Sequence, residues 1–210
     1  MKSYTANNIR NIAVAGHGGK GKTTLCEAML FIAGATDRLG KVADGNTVLD
    51  FDAEEKRRKT SVSSAMAAIE WNNTKLNIID APGLFDFEGG VSEAVRAAEA
   101  VLIVASAGSG VDVGTQKAFK AADKKGIAKM FAITKTDSDH RSFYKTYEAL
   151  KGAYGSSLCP AVVPYMEGNI TKSYVNFITD KAYEYSADGK AKEVAIPADA
   201  QIDAMKAEFL

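Results

Sequence analysis

One short stretch limits the folds open to this chain more than any other part of it. Residues 16–24 read GHGGKGKTT and match G-x-x-x-x-G-K-[ST], the phosphate-binding loop. An apolar run, IAVA at 12–15, precedes the loop, and a helical pattern follows it. Glycines in the loop allow positive φ, so several backbone N–H groups can converge on one anion at the positive end of that helix. The stretch predicts a phosphate site between a buried strand and a helix, rather than an ordinary glycine-rich turn.

Two side chains of this loop have distinct expected roles. Lys22 supplies a positive charge for the outer phosphates, and the hydroxyl of Thr23 is a ligand for Mg²⁺. The other nucleotide contacts predicted from the loop are His17, Gly18, Gly19, Lys20, Gly21 and Thr24.

Charge, hydropathy and cysteine content exclude several classes of protein. Lys+Arg and Asp+Glu are each 26, so the formal net charge is zero; this argues against wholesale nucleic-acid binding, and no direct DNA binding is expected. No apolar run is long enough to span a membrane, and the first residues lack a signal-peptide core. We therefore expect a cytoplasmic protein with no membrane partner. Two cysteines, Cys26 and Cys159, make no disulfide framework, and Cys26 is predicted to be a core residue.

Strand and helix patterns alternate through the first two thirds of the chain. Strands are predicted at 8–15, 61–71, 75–79, 101–105 and 130–133, with a turn at Asn72-Asn73, and helices after the phosphate loop, at 91–100 and at 114–125. This alternation predicts an α/β P-loop NTPase fold with a doubly wound, mostly parallel sheet. Right-handed crossovers would gather the loops after the parallel strands around one crevice.

Two stretches depart from this alternation. Residues 35–59 have no sustained period and include a charged run, so they are predicted to be a long functional loop of the kind that nucleotide switches use. Beyond residue 152, short strand-like runs and a helix at 197–209 predict a small α+β unit. The expected organisation is a nucleotide-binding domain at 1–158 and a smaller subdomain at 159–210.

Three further segments make the phosphate loop part of a more specific site. In DAPG at 80–83, Asp80 is expected to hold the magnesium ion, and the N–H of Gly83 is expected to face the γ-phosphate. In TKTD at 134–137, Asp137 can accept hydrogen bonds from the ring N–H and the amine of guanine, a pair that adenine lacks. Ser61 is predicted to close on magnesium, with Thr60 as the alternative. The complete guanine segment is Thr134, Lys135 and Asp137, where Lys135 would lie along the base.

Two of these stretches together carry a family resemblance. GKVADGNTVLDF at 40–51, followed by the charged run, and DAPGLFDF at 80–87 are similar to the G domain of elongation factor G and its paralogues. The end of the chain, from about residue 161, resembles the subdomain that this family inserts in its G domain. The resemblance implies a translational GTPase that uses GTP and Mg²⁺ and acts on the ribosome, with Lys22 and Gly83 as catalytic contacts.

Four positions depart from the family pattern. Leu84 replaces the histidine that positions the attacking water, which puts hydrolysis in doubt. Gly19 replaces an aspartate of the phosphate loop, Ser61 replaces the switch threonine and keeps its hydroxyl, and Thr134 replaces an asparagine and is expected to retain fewer hydrogen bonds. The strand and helix that follow the subdomain in the family are not found, so we expect a fragment with a guanine pocket open on one side and a weakened affinity.

Two other interpretations remain open. The core GGKGKTT resembles deviant P-loop ATPases, although His17 replaces their signature lysine and Asp137 would have no purpose in an adenine site. Alternatively, Leu84 indicates a nucleotide-gated binding module with negligible turnover. The histidines, His17 and His140, are given no catalytic role.

Overall fold

The computed structural model describes residues 2–137, 142–156, 158–168, 170–186 and 190–210. The chain divides into two compact units, Met1–Thr134 and Lys135–Leu210. This division falls earlier in the chain than the predicted boundary after residue 158, since a helix at 143–154 belongs to the second unit. His140 lies outside the described residues.

The first unit is an open five-stranded sheet with helices on both faces. Its elements are β1 (Ile9–Gly16), α1 (Lys22–Ile32), α2 (Ala53–Arg58), β2 (Ala65–Trp71), β3 (Thr74–Asp80), α3 (Glu88–Ala97), β4 (Ala100–Ser106), α4 (Val113–Lys125) and β5 (Ala128–Thr134). Short 3-10 turns lie at Ala6–Asn8, Val42–Asp44 and Phe85–Phe87. The strand order is β2-β3-β1-β4-β5, with β2 antiparallel to β3 and the other pairings parallel. The predicted doubly wound, mostly parallel fold is confirmed.

Residues of β1 alternate between two hydrophobic cores, as the period of a strand requires. Ala13 and Ala15 pack with buried residues of α3 and α4 on one face of the sheet. Val14 points to the other face and packs with Cys26 and Leu30 of α1. Cys26 is fully buried, so its predicted place in the core is confirmed. Both faces of β1 are covered, and the phosphate loop that follows it therefore starts from a rigid strand.

The strands β2 and β3 form a hairpin. Asn72 and Asn73 have φ of 46° and 59°, the left-handed geometry of a tight type I′ turn that asparagine tolerates, so the predicted turn is confirmed. The pairing runs from Ala65↔Asp80 to Trp71↔Thr74. The strand therefore begins at Ala65 rather than at the predicted residue 61, and Ser61 lies before it in irregular backbone.

The prediction that residues 35–59 contain no regular structure is wrong for the charged run. Residues 53–58 form the helix α2, which begins with a capping box: the side chain of Asp52 accepts from the helix backbone, and that of Glu55 accepts from the Asp52 N–H. The signal was a D-x-x-E pattern, which satisfies free N–H groups at a helix start. Oε1 of the buried Glu55 also accepts from the backbone N–H groups of Val62 and Ser63.

The second unit is an antiparallel four-stranded meander with two helices. Its elements are α5 (Phe143–Tyr154), β6 (Val162–Glu167), β7 (Ile170–Asn176), β8 (Lys181–Tyr185), β9 (Ala191–Val194) and α6 (Ala200–Phe209). Hydroxyl groups hold α5 in this unit, since Tyr144 donates to Pro164 O at 2.5 Å and Tyr147 donates to Glu208 on α6 at 2.5 Å. Ile202 of α6 is buried, as the helical spacing predicts.

Candidate functional site

The phosphate loop joins the end of β1 to the start of α1. Gly16 has a φ of 137°, and a Cβ there would lie 2.5 Å from Val104 O on β4, so this position requires glycine. Gly21, with a φ of 88°, precedes the first turn of α1. The loop therefore leads directly into a helix N-terminus, whose free N–H groups and positive dipole end favour an anion.

Lys22 is buried at the base of this loop. Its Nζ donates to His17 O at 3.0 Å. Burial lowers the pKa of Lys22, while the negative charge of Asp80 acts in the opposite direction. His17 is itself packed tightly, because a Cβ on Gly114 of α4 would lie 2.5 Å from His17 Cα and the Phe85 ring lies 5.5 Å from the histidine ring. The loop is thus braced by α4 and by the segment after β3.

The DAPGL segment after β3 lies directly against the phosphate loop. A Cβ on Gly83 would lie 2.2 Å from Lys22 Nζ and 2.8 Å from Gly18 N. Likewise, a Cβ on Gly18 would lie 3.0 Å from Cδ2 of Leu84. Glycine is therefore required at position 83, where an added Cβ would meet the backbone of the phosphate loop. Leu84, which the sequence resemblance aligns with a histidine of elongation factor G, presents a methyl group to the loop.

A chain of hydrogen-bonding side chains connects three parts of the first unit at the start of α1. The hydroxyl of Thr23 donates to Asp80 Oδ2 at 2.6 Å, and that of Ser61 donates to Asp50 Oδ1 at 2.7 Å. The two hydroxyl oxygens lie 3.1 Å apart. The predicted metal-binding residues Thr23, Ser61 and Asp80 are therefore brought together. The hydroxyl that reaches Thr23 is that of Ser61, which favours it over the alternative, Thr60.

This cluster has the chemistry of a magnesium site. The hydroxyl oxygens of Thr23 and Ser61 lie within hydrogen-bond distance of each other, each beside a carboxylate, and both could serve as oxygen ligands of one cation. Neighbouring ligands of an octahedral Mg²⁺ lie about 3 Å apart, close to the observed separation. In addition, Asp80 Oδ1 is buried and finds no hydrogen-bond partner within the part of the chain that the structure describes. The residues present therefore fit a magnesium ion held by two hydroxyls, with carboxylates behind them.

Asp80 is strongly affected by its surroundings. Burial raises the pKa of Asp80 to about 7, while the bond from Thr23 and the charge of Lys22 lower it and the negative charge of Asp50 adds to the rise. Burial also raises the pKa of Asp50, against the effect of its bond from Ser61. Two carboxylates that resist ionisation at one place would be stabilised in their charged form by a divalent cation.

Thr134 contacts the phosphate loop from the end of β5. Its hydroxyl donates to Lys20 O at 2.7 Å, and Ala105 O is 3.2 Å away. Threonine is expected to make fewer hydrogen bonds here than asparagine, but the bond from Thr134 to Lys20 O connects the phosphate loop to the end of β5. The Lys20 side chain points elsewhere, with Nζ 3.1 Å from Oδ2 of Asp112, the residue before α4. Any contact of Lys20 with a phosphate would therefore use its backbone N–H.

The remaining predicted residues are distributed between the two units. Thr24 is exposed in the first turn of α1, and Gly19 has a φ of 71° in the loop. Lys135 and Asp137 are exposed and belong to the second unit, and Lys135 has a left-handed φ of 58°. Their predicted role in binding the base remains a prediction.

Sequence reasoning missed two residues that the fold brings to this site. Asp50 lies in the segment without a sustained pattern, so no periodic signal marked its approach to Ser61. Asp112 precedes an ordinary helix pattern, and its pairing with Lys20 depends on how β4 and α4 meet the loop. The sequence shows only that Asp112 precedes a helix, and an aspartate in that position predicts a helix cap rather than an ion pair.

Two negative findings apply to the described part of the chain. Among those residues, no group of three or more His, Cys, Asp or Glu side chains is arranged so that it could hold a metal ion. Within the same residues, no helix combines the length and apolar character needed to cross a membrane.

Comparisons with known proteins identify the family of the chain and several similar proteins. Residues 7–208 match the family described as Elongation factor Tu GTP binding domain. An elongation factor G-like protein of Synechocystis sp. is 34% identical over 199 residues, which are 95% of this chain and 30% of that protein. One of Mycobacterium tuberculosis is 35% identical over 189 residues, 89% of this chain and 26% of that protein. The mitochondrial ribosome-releasing factor 2 of Debaryomyces hansenii is 32% identical over 196 residues, 91% of this chain and 23% of that protein.

Solved structures show the same relationship. A crystal structure of a Thermus thermophilus protein matches 96% of this chain and 30% of its own, with a TM-score of 0.89 and 34% identity. The bacterial selenocysteine-specific elongation factor EF-Sec matches 69% of this chain and 23% of its own, with a TM-score of 0.56 and 27% identity. The chain thus spans less than a third of the length of these relatives. This chain belongs to the elongation factor Tu GTP-binding domain family, and within that family it is similar to elongation factor G-like proteins.

Proposed function

We propose that this chain is the nucleotide-binding switch of an elongation factor G-like translational GTPase, and that it binds GTP and GDP with Mg²⁺. The observation that carries the proposal is the chain of side chains from Asp80 through Thr23 and Ser61 to Asp50. It links the phosphate loop, the end of β3 and a long connecting segment at one point. A segment that closes on the phosphate-loop hydroxyl is the element that a nucleotide switch requires.

Each part of the site has a proposed role toward the nucleotide. Backbone N–H groups of residues 16–24 and the ammonium group of Lys22 bind the phosphates, and the N–H of Gly83 contacts the γ-phosphate. Thr23 and Ser61 bind the magnesium ion, with Asp80 and Asp50 oriented behind them. When bound, the ion neutralises charge on the β- and γ-phosphates. Lys22 and Gly83 would act on the transferred phosphate itself.

The base is proposed to be guanine, recognised by residues 134–137. The carboxylate of Asp137 would accept two hydrogen bonds from guanine, and the stem of Lys135 would lie along the ring. An acceptor that guanine pairs and adenine leaves unpaired would discriminate between the two bases. Asp137→Asn should shift the preference from guanine to xanthine nucleotides, as measured by competition for a fluorescent nucleotide. An unchanged base preference would show that the base pocket is assigned wrongly, and tighter binding of ATP than of GTP would favour the ATPase interpretation.

Leu84 bears on whether the bound nucleotide is hydrolysed. Its methyl group lies against Gly18 of the phosphate loop, and a leucine can neither orient a water molecule nor transfer a proton. This observation favours a second candidate function, a nucleotide-gated module with little turnover. The test measures GTP hydrolysis by the full-length protein with and without ribosomes. Turnover that ribosomes stimulate and that Lys22→Ala abolishes would establish the GTPase; binding without turnover would establish the module.

The ribosome is the proposed partner, through the full-length protein in the cytoplasm. Support comes from relatives whose names place them in translation, one of them a ribosome-releasing factor. The proposed organisation keeps residues 1–158 as the G domain and residues 159–210 as part of the inserted subdomain. Co-sedimentation of the full-length protein with ribosomes, with GTP and then with GDP, tests this partner; equal recovery without nucleotide would contradict a nucleotide-gated interaction.

A further inference from the structure

A buried glutamate on α1 holds the connecting segment (residues 35–61) by its backbone. Glu27 is fully buried, and its Oε1 accepts hydrogen bonds from Val48 N at 2.7 Å and from Leu49 N at 3.0 Å. Neither N–H belongs to a helix or a strand. The two hydrogen bonds are charge-assisted and join residues 21 and 22 positions apart in sequence. The carboxylate therefore fixes a stretch of irregular backbone to the helix.

The other side of the same carboxylate is covered by the segment as well. A Cβ on Gly40 would lie 2.1 Å from Oε2 of Glu27 and 2.9 Å from Thr47 Cα. Oε2 is buried, and no hydrogen-bond partner for it lies among the described residues. The segment thus wraps the carboxylate from both sides, and the glycine is what permits this close approach.

The spacing along α1 connects this contact to the proposed magnesium site. Thr23 and Glu27 are four residues apart, so their side chains lie on the same face of the helix. Thr23 meets the end of the connecting segment at Ser61, and Glu27 meets its middle at Leu49. Asp50 follows Leu49 directly and accepts from Ser61. The same face of α1 therefore holds the segment at two points, Thr23 and Glu27. The contact at Glu27 also fixes the position of Asp50, whose carboxylate accepts from Ser61.

With the segment packed against α1, the buried carboxylate of Glu27 is paired with two backbone N–H groups. The stability of this arrangement therefore depends on those two hydrogen bonds. If the segment moves away, Glu27 loses both partners and must be hydrated, because an unpaired buried charge is costly. An apolar side chain of similar size carries no such requirement. The hydrogen bonds of Glu27 do not touch the phosphate loop, so their effect on a nucleotide would pass through the position of the segment alone.

We propose that Glu27 is a positioning residue that holds the connecting segment closed over the magnesium site and thereby favours GTP over GDP. This inference rests on the proposed function, since it concerns the regulation of the same site. GTP needs the closed segment, because Ser61 reaches the metal only there, whereas GDP binding depends mainly on the phosphate loop. Glu27 would therefore contribute to the difference between the two nucleotides rather than to the affinity for both.

The first experiment measures the contact itself, without nucleotide, by amide hydrogen exchange. Glu27→Met keeps the size of the side chain and removes the acceptor, so the amides of Val48 and Leu49 should exchange about tenfold faster or more. Glu27→Gln keeps one acceptor oxygen and should fall between Met and wild type. Gly40→Ala should open the segment from the opposite side, which keeps the test valid if Glu27→Met does not fold. Ile32→Ala, at an exposed position at the end of the same helix, is the control and should leave these amides unchanged.

The second experiment measures the affinities of wild type and variants for GTP and GDP by calorimetry with magnesium present. Glu27→Met should weaken GTP about tenfold more than GDP, and Ile32→Ala should change neither affinity. Equal weakening of GTP and GDP, or unchanged exchange at 48 and 49, would overturn the role of Glu27 while leaving the proposed function intact. Failure of the wild type to bind either nucleotide would instead refute the proposed function, and the exchange experiment would still report whether Glu27 holds the segment.

Discussion

Asp80 provides a prediction in which stability and binding change in opposite directions. The pKa of this acid is raised from its ordinary 3.8 to about 7, because the folded protein buries the carboxylate. The folded state therefore holds the proton more tightly than the unfolded state. The stabilisation from that proton is complete below pH 3.8 and is lost as the pH rises through about 7. At pH 8 the nucleotide-free protein carries the full cost of a buried, ionised Asp80.

The substitution Asp80→Asn removes this cost and keeps an oxygen that can accept from Thr23. The difference between 3.8 and about 7 corresponds to at most about 4 kcal/mol of unfolding free energy at pH 8. We expect the variant to be more stable than the wild type at pH 8 by about 2–4 kcal/mol, and the gain to shrink steadily toward pH 4. The variant should also lose the stabilisation that Mg²⁺ with GDP gives the wild type, since a neutral amide is a poor partner for a cation.

The assay is urea unfolding of both proteins in chelator between pH 4 and pH 8, with Mg²⁺ and GDP added in a second series. Asp86→Asn is the matched control, because Asp86 is an exposed acid six residues further along the chain. The Asp86→Asn variant should keep the stabilisation that Mg²⁺ with GDP gives the wild type. Parallel stability curves for wild type and Asp80→Asn would refute the reasoning, since they would mean that this carboxylate does not titrate differently in the folded and unfolded states.

Three further predictions concern contacts in the first unit. Lys125→Met should lower the unfolding free energy by about 1–3 kcal/mol in urea, because Nζ donates to three carbonyl groups at the end of α3, whereas Lys124→Met should change little. Gly83→Ala should abolish GTP binding, measured by calorimetry, because the new Cβ would displace Nζ of Lys22. Circular dichroism should show that the variant remains folded. Thr134→Val should destabilise the protein by about 1–3 kcal/mol, because Lys20 O loses its partner, and Thr134→Asn should restore that stability.

Local patterns predicted the framework of the first unit because each signal depends on neighbouring residues. The run from 12 to 15, the glycines of the phosphate loop and the lysine-threonine pair are short-range features, and β1, the loop and α1 follow them closely. The pair Asn72-Asn73 predicted a turn for the same reason. The capping box at Asp52 is equally local: its D-x-x-E pattern marks a helix start inside a stretch that has no sustained hydrophobic period, so periodicity alone predicts a loop there.

Contacts between distant segments were outside the reach of these patterns. Glu27 looked like a polar residue on an amphipathic helix, yet it is buried because residues 40–49 fold over it. Asp50 belonged to a stretch with no period, and only the return of the chain at Ser61 gives it a partner. The side chain of Lys20, expected to contact the nucleotide, pairs instead with Asp112, because the start of α4 lies beside the loop.

The sequence by itself determined the phosphate loop, the alternation of strands and helices, and the family, since these follow from residue types at fixed short spacings. Tertiary structure alone decided which carboxylates stand behind the hydroxyls of Thr23 and Ser61 and which glutamate holds the connecting segment. The physical reason is that burial and hydrogen-bond partners depend on segments far apart in the sequence, 57 residues for Thr23 and Asp80 and 21 for Glu27 and Val48, and no local pattern records where such segments meet.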